Sequence, residues 1–311
     1  MSLYPSGGPA GEVRGGSIYD LGYRGYEGRR LGRRGALTAL VAHSLRTAYG
    51  LGRSARSKVV PVGITVLAVL PSTLALGVLM LVNAVGAPGE AFEAISPIRY
   101  ATLFPMIASL VFLFCAAQAP ELFGRDQQTG VLPLYFSRAI GPLDYALARV
   151  LGLYLSLAVL VAAPYLLLLI GRVLVAADLF VGLQEELPSL LPAAAMGLLV
   201  VLTVGSISAA VASLTPRRAY STAAIIGVFL ITNVGATMLV SFDTGVFGQV
   251  AALLSPSDVL DGANSYLFDI RPTNVIVANA GNERFTYVLT TAAWIGGALA
   301  VLLYRYRTLR V

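Results

Sequence analysis

Charge is what this sequence most lacks. Asp, Glu, Lys and Arg make up 12% of its 311 residues, against about 25% in an ordinary soluble domain. The deficit is concentrated: Tyr100–Pro120, Val150–Gly171, Leu187–Pro216, Ala219–Phe242, Phe285–Tyr304 and the longer Val59–Gly89 hold no charged residue at all. Cysteine and histidine occur once each, as Cys115 and His43, so a dedicated transition-metal site is not expected. Cys115 lies inside a charge-free segment and reads as a small buried apolar side chain; His43 reads as a polar residue at an interface. There is no G-x-x-x-x-G-K-[ST] phosphate loop, no H-E-x-x-H and no G-x-S-x-G. The segment 124–130, GRDQQTG, has the glycines of a phosphate loop without its lysine. The chain is therefore expected to be no enzyme and to bind no cofactor of its own. No ionisable residue falls near the centre of a charge-free segment, which argues against an ion-coupled carrier.

What is there is length without charge. Each of the six segments supplies about 20 apolar residues, enough to cross roughly 30 Å of hydrocarbon, and each is apolar all round. One Arg or Asp at mid-span would cost about 2.5–3.5 kcal/mol on insertion scales. The expected fold is an all-α integral membrane protein with spans at about 59–85, 100–119, 146–170, 190–214, 220–240 and 285–304. Residues 1–58 carry ten of the 22 basic residues. With that end in the cytoplasm, eighteen of the 22 fall inside and only Arg99, Arg172, Arg271 and Arg284 fall outside. This positive-inside pattern places both termini in the cytoplasm. The basic excess then meets anionic lipid headgroups, not nucleic acid, because no soluble module presents it. No secretory leader is expected, since no apolar stretch precedes residue 36.

The flanking segments divide as follows. Residues 1–35 are a Gly/Tyr/Arg leader, read either as a solvated tail held at headgroups by Arg29, Arg30, Arg33 and Arg34 or as an ordered strap packed through Ile18, Tyr19, Leu21, Tyr23 and Tyr26. Residues 36–58 carry Leu37, Leu40, Val41, Leu45, Ala48 and Leu51 at helical spacing, which predicts an amphipathic helix in the interface plane. Residues 59–311 are the six-span domain, in which Pro71 predicts a kink. Residues 243–284 form the one long external segment. Its uncharged run Thr244–Ser257 is too short to span and predicts a re-entrant or interfacial helix.

The most informative stretch is Glu121–Arg149, ELFGRDQQTGVLPLYFSRAIGPLDYALAR. It sets Glu121, Arg125 and Asp126 ahead of Gly130, the apolar Val131, Leu132 and Leu134, then Ser137 and Arg138, then Tyr145 and Arg149. That order resembles the first cytoplasmic loop of ABC-2 type permeases, the six-helix membrane subunits of ABC exporters, and the topology around it is similar across the whole chain. The leader GGSIYDLGYRGYEGRRLGR also looks like the start of a subset of these permeases from actinobacteria.

The resemblance implies a permease subunit in a bacterial cell membrane, paired with a second permease copy or paralogue. It implies a cytosolic ABC ATPase partner that binds ATP and Mg and docks on a coupling helix in this loop. The coupling set it implies is Glu121, Phe123, Arg125, Asp126, Gly130, Val131, Leu134 and Arg138, with Phe123, Val131, Leu134 and Tyr135 as hydrophobic anchors. Pro133 departs from the family, which usually has a helix-compatible acidic residue there. It predicts a break near Gly130–Pro133. Other classes fit the chain less well: a membrane anchor or scaffold without transport activity, which would not need the re-entrant run, or a secondary carrier, which predicts a midplane carboxylate or an internal repeat that the sequence does not contain. The small residues Ala223, Gly227 and Gly235 would allow close helix approach in a dimer.

Overall fold

The computed structural model describes residues 32–86, 98–137, 140–176, 178–242 and 245–308. Residues 1–31 of the leader, Arg138 and Asp243–Thr244 lie outside the described residues. Eleven helices are found among those described, and no strand. They are α1 Gly32–Ala48, α2 Ala55–Ala84, α3 Tyr100–Gln128, α4 Leu132–Phe136, α5 Pro142–Val175 and α6 Leu179–Leu214, then α7 Arg218–Phe242, α8 Val246–Leu254, α9 Pro256–Leu267, α10 Val275–Ala280 and α11 Arg284–Thr308. Six of them, α2, α3, α5, α6, α7 and α11, are long and apolar enough to cross a membrane. This is the helix set of a multi-pass membrane protein.

Three helices outrun the charge-free segments by about two turns. α3 continues about two turns past Pro120 to Gln128, α5 begins at Pro142 before Arg149, and α6 begins at Leu179, well before Leu190. In each case a charged residue near the expected boundary is paired with a side chain from another helix, Asp126 of α3 with Arg149 of α5 and Glu186 of α6 with Arg172 of α5. Glu186, for example, accepts from Arg172 Nε at 2.6 Å. The start of α6 is set locally by Asp178, whose carboxylate accepts from the backbone N–H of Phe180 at 2.7 Å, an N-cap.

α5 is the spine of the bundle and packs against α1, α2, α3, α6 and α11. Small residues set its approaches. A Cβ on Gly152 would stand 2.3 Å from the Ser44 Cβ, and one on Gly171 would stand 2.1 Å from Leu76. α1 therefore lies tight on α5 through Leu40, Ser44, Thr47 and Ala48, which are all buried. The expected amphipathic segment 36–58 is thus one helix and a turn, and its buried face is partly polar. Leu51, expected on the apolar face, is exposed. α2 runs unbroken through Pro61 and Pro71. The Ser72 hydroxyl, buried, donates to the Pro164 carbonyl of α5 at 2.8 Å.

At the far end of the bundle, α8 and α9 follow α7 as two consecutive helices too short to span. α9 packs on α11, α6 and α7. Its Gly262 faces the ring of buried Tyr287, where a Cβ would come within 2.3 Å. Asn264 donates to the Ala101 carbonyl at 2.8 Å, and Trp294 Nε1 donates to the Leu253 carbonyl at 3.2 Å. α8 buries Gly248, Ala251 and Ala252 and leaves Val246, Phe247, Val250 and Leu254 exposed.

Gly262→Val should destabilise the bundle by about 1–3 kcal/mol through overpacking against Tyr287. Thermal unfolding in detergent checks this, and adding Tyr287→Leu should restore part of the loss.

Candidate functional site

The polar end of the bundle gathers the start of α2, the end of α3, α4, the start of α5, the end of α6 and the end of α11. α3 stops on a Schellman motif. The Gly130 N–H donates to the Gln127 carbonyl at 3.3 Å, the Val131 N–H donates to the Asp126 carbonyl at 3.2 Å, and Gly130 takes φ +66°. Only glycine adopts that conformation at little cost. α4 starts immediately, with Pro133 in its first turn where no donor is needed. The break expected at Gly130–Pro133 is where α3 gives way to α4. α5 opens on Gly141 and Pro142, and Asp144 accepts from the Gly141 N–H at 3.2 Å. Asp144 also takes both Arg33 Nε at 2.8 Å and Arg33 Nη2 at 2.6 Å, a bidentate pair that ties the start of α1 to the start of α5.

Two ionic centres fix the end of α3. In the first, Glu121 receives Arg53 from the α1–α2 turn, Arg125 from its own helix at 3.1 Å, and Arg218 from the start of α7 at 3.4 Å. In the second, Asp126 pairs with Arg149 and accepts from the Tyr145 hydroxyl at 2.7 Å. Arg149 is 3% exposed. It also donates to the Tyr145 hydroxyl at 3.2 Å and to Ser44 Oγ of α1 at 3.1 Å. Tyr145, fully buried, stacks at its edges with Tyr135 and Phe136 of α4 and with Tyr306 of α11. α4 is thus held from inside by Leu132, Tyr135 and Phe136, and it presents Pro133 and Leu134 outward.

The expected coupling residues separate into two groups. Phe123 is 0% exposed, so it is a core residue here and not a surface anchor. Asp126 and Glu121 face the protein's own arginines. Tyr135 is turned toward Tyr145. At the surface are Arg125, Gly130, whose added Cβ would meet nothing within 4 Å among the described residues, and Leu134, 67% exposed. Val131 is half-buried. Arg138 lies outside the described residues. Arg53 and Arg218 were not anticipated, because their partnership with Glu121 spans 68 and 97 residues of sequence.

A second polar cluster lies near α9. Asp258, fully buried, caps nothing basic; its Oδ1 accepts from Asn233 of α7 at 3.1 Å and from Asn274 at 2.9 Å, while its Oδ2 has no partner. Asn274 also donates to Asp261 at 2.9 Å. Burial raises both carboxyl pKa values, that of Asp261 to about 6, against the favourable hydrogen bonds from Asn274. Among the described residues no ion pair reaches either group. The signal available in the sequence was the Ser255-Pro256 helix start, with Asp258 three residues beyond the cap.

Fold and polar end together define a helical, multi-pass membrane protein with a short surface helix mounted between two of its spanning helices. No protein-family model matches the chain, and no curated protein matches it.

Arg149→Met should cost about 3–5 kcal/mol, because Asp126 is left partly buried without its cation. Asp126→Asn in the same chain should recover much of this, as read by thermal unfolding. The acid cluster should act in the opposite sense from ordinary carboxylates. The folded state holds the Asp261 proton more tightly than the unfolded chain, so its stabilising contribution is present at low pH and is lost as pH rises from the ordinary 3.8 toward about 6, and Asp258 shifts in the same direction. Asp261→Asn should therefore raise the melting temperature relative to the wild type at pH 7 and not at pH 4.

Proposed function

We propose that the chain is the permease subunit of an ABC-2 type exporter, working with a separate cytosolic ATPase and a second permease copy in a bacterial cell membrane. The observation that carries this reading is the mounting of α4. A rigid lever needs a surface contact and stiff connections to the spans. α4 offers Leu134 and its neighbours Gly130 and Arg125 outward, and on its inner side it rests on Tyr145. The two helices that flank it are bolted at that end by Asp126–Arg149 and by the arginines around Glu121. A push on α4 would reach α3 and α5 together. The absence of a phosphate loop in this sequence fits an energy source bound by the partner, which would carry ATP and Mg.

The basic residues at this end support a cytoplasmic placement by the positive-inside rule. The opposite end, with α8 and α9, would then face outward, and the two helices would dip into the membrane from that side. Among the described residues, a Cβ added at Gly227 would meet only Ile231 of the same helix within 4 Å and one at Gly235 nothing, which suits approach by a second copy. A secondary carrier is favoured by one observation, the buried and unpaired Asp258 oxygen. ATP-dependent against proton-gradient-driven export from vesicles separates the two readings.

The test is co-purification of the chain in detergent with a candidate cytosolic ABC ATPase from the same genome. Leu134→Asp should weaken association about ten-fold or more, equivalent to roughly 1.4 kcal/mol, and should abolish permease-stimulated hydrolysis. Undiminished association and stimulation in both Leu134→Asp and Arg125→Glu would reject the assignment.

A further inference from the structure

The acids at the α4 end are taken up within the chain. Among the described residues there are three, Glu121, Asp126 and Asp144. Glu121 takes Arg53, Arg125 and Arg218, Asp126 takes Arg149, and Asp144 takes Arg33. None of these carboxylates is more than 16% exposed. The cations are not covered in return. Arg125 and Arg218 remain 53% and 64% exposed. Arg217 and Arg307 are exposed and meet no carboxylate among the described residues, and Arg305 Nε is buried without a hydrogen-bond partner. Counting the whole sequence does not reverse the sign. The segments 1–58, 121–149, 215–218 and 305–311, which six spans would put on one side of a membrane, hold eighteen basic residues against six acids.

Packing gathers these arginines around α4. A Cβ on Gly124 would meet the Pro216 carbonyl at 3.1 Å, so Arg217 and Arg218 lie beside the end of α3. Gln127 Nε2 donates to the Tyr306 hydroxyl at 3.4 Å, and Tyr306 packs on Tyr145, on which α4 rests. That brings the end of α11, with Arg305 and Arg307, to the same place. Leu134 is the large apolar side chain that stands out among them. The face is an apolar knob in a cationic rim. α3 runs eight residues past Pro120, the last of its charge-free segment, about 12 Å at 1.5 Å per residue. A headgroup layer is roughly 5–8 Å thick on each side of the hydrocarbon. α4 therefore stands beyond the headgroups, where a protein and not a lipid reaches it.

We propose that the docking groove of the partner ATPase is an apolar pocket rimmed by carboxylates; this rests on the reading of α4 as the contact with that ATPase. Leu134 fills the pocket, and the rim acids meet Arg125, Arg217, Arg218 and Arg307, with the geometry in which guanidinium and carboxylate pair best. A basic groove would be repelled by every exposed charge on this face. Opposite charge across a rim steers encounter and suppresses wrong partners, so the same face selects one ATPase among several of similar fold.

Binding kinetics of the full-length chain, held in nanodiscs of phosphatidylcholine alone, with the purified candidate ATPase test this. The association rate should fall about ten-fold or more between about 50 and about 500 mM NaCl. Arg217→Gln combined with Arg307→Gln, two surface changes, should lower the low-salt association rate about three-fold or more and flatten its salt dependence. Leu134→Asp should act on the dissociation rate instead. A salt-independent association rate, or an unchanged rate in the double variant, with Leu134→Asp still disruptive, overturns the acidic groove and leaves the coupling assignment standing. No association at any salt removes both. An effect of the double variant seen only in nanodiscs containing phosphatidylglycerol assigns these arginines to lipid headgroups and likewise overturns the proposal.

Discussion

The pairing of Asp126 with Arg149 is the constraint on which the polar end of this molecule depends. An arginine with 3% of its side chain exposed is tolerable only if its charge and its donors are matched, because breaking a buried pair costs far more than the pair itself contributes. The match is assembled from four helices. α3 brings the carboxylate, α5 brings the guanidinium and the Tyr145 hydroxyl, α1 brings Ser44, and α11 closes the aromatic ring of neighbours with Tyr306. Moving α3 or α5 alone would strand a buried charge, and moving α1 would leave one Arg149 donor without its acceptor. The geometry of α4 is set by the same cluster, since its inner side rests on Tyr145.

The two ends of the bundle solve different problems. At the α4 end, charge is abundant and is paired across long stretches of sequence, with Glu121 alone collecting three arginines. At the other end, acids are buried among amides, and Asn274 serves Asp258 and Asp261 at once. Despite burial, arginines hold the Glu121 carboxyl below the usual carboxylate range, whereas burial pushes the Asp258 and Asp261 carboxyls above it.

The spanning helices were legible because hydrocarbon leaves a one-dimensional trace: a run of about 20 residues without charge. The α3–α4 break was legible for an equally local reason, Gly130 followed by Pro133. Three things were not. The extension of α3 through Glu121–Gln128 depends on Arg53, Arg149 and Arg218, which lie far away in sequence. The inward turn of Phe123 and Tyr135 depends on which side of α3 and α4 meets α5, and apolar character alone does not distinguish a core side chain from a docking one. The contact face of α1 was read in part: Leu40 and Ala48 are buried and Leu37 and Val41 pack against the core, but the polar Ser44 and Thr47 buried beside them were missed, because close packing against Gly152 selects small side chains that an apolar periodicity does not count.

The bond from Ser72 to the Pro164 carbonyl has a mechanical meaning. Proline removes a rung from a helix, so Pro71 and Pro164 are the points where α2 and α5 would bend most easily. The single buried hydrogen bond stitches these two soft points together at the same depth. A bend at either proline would have to break this buried bond or carry the other helix with it, so the two soft points are coupled at the same depth.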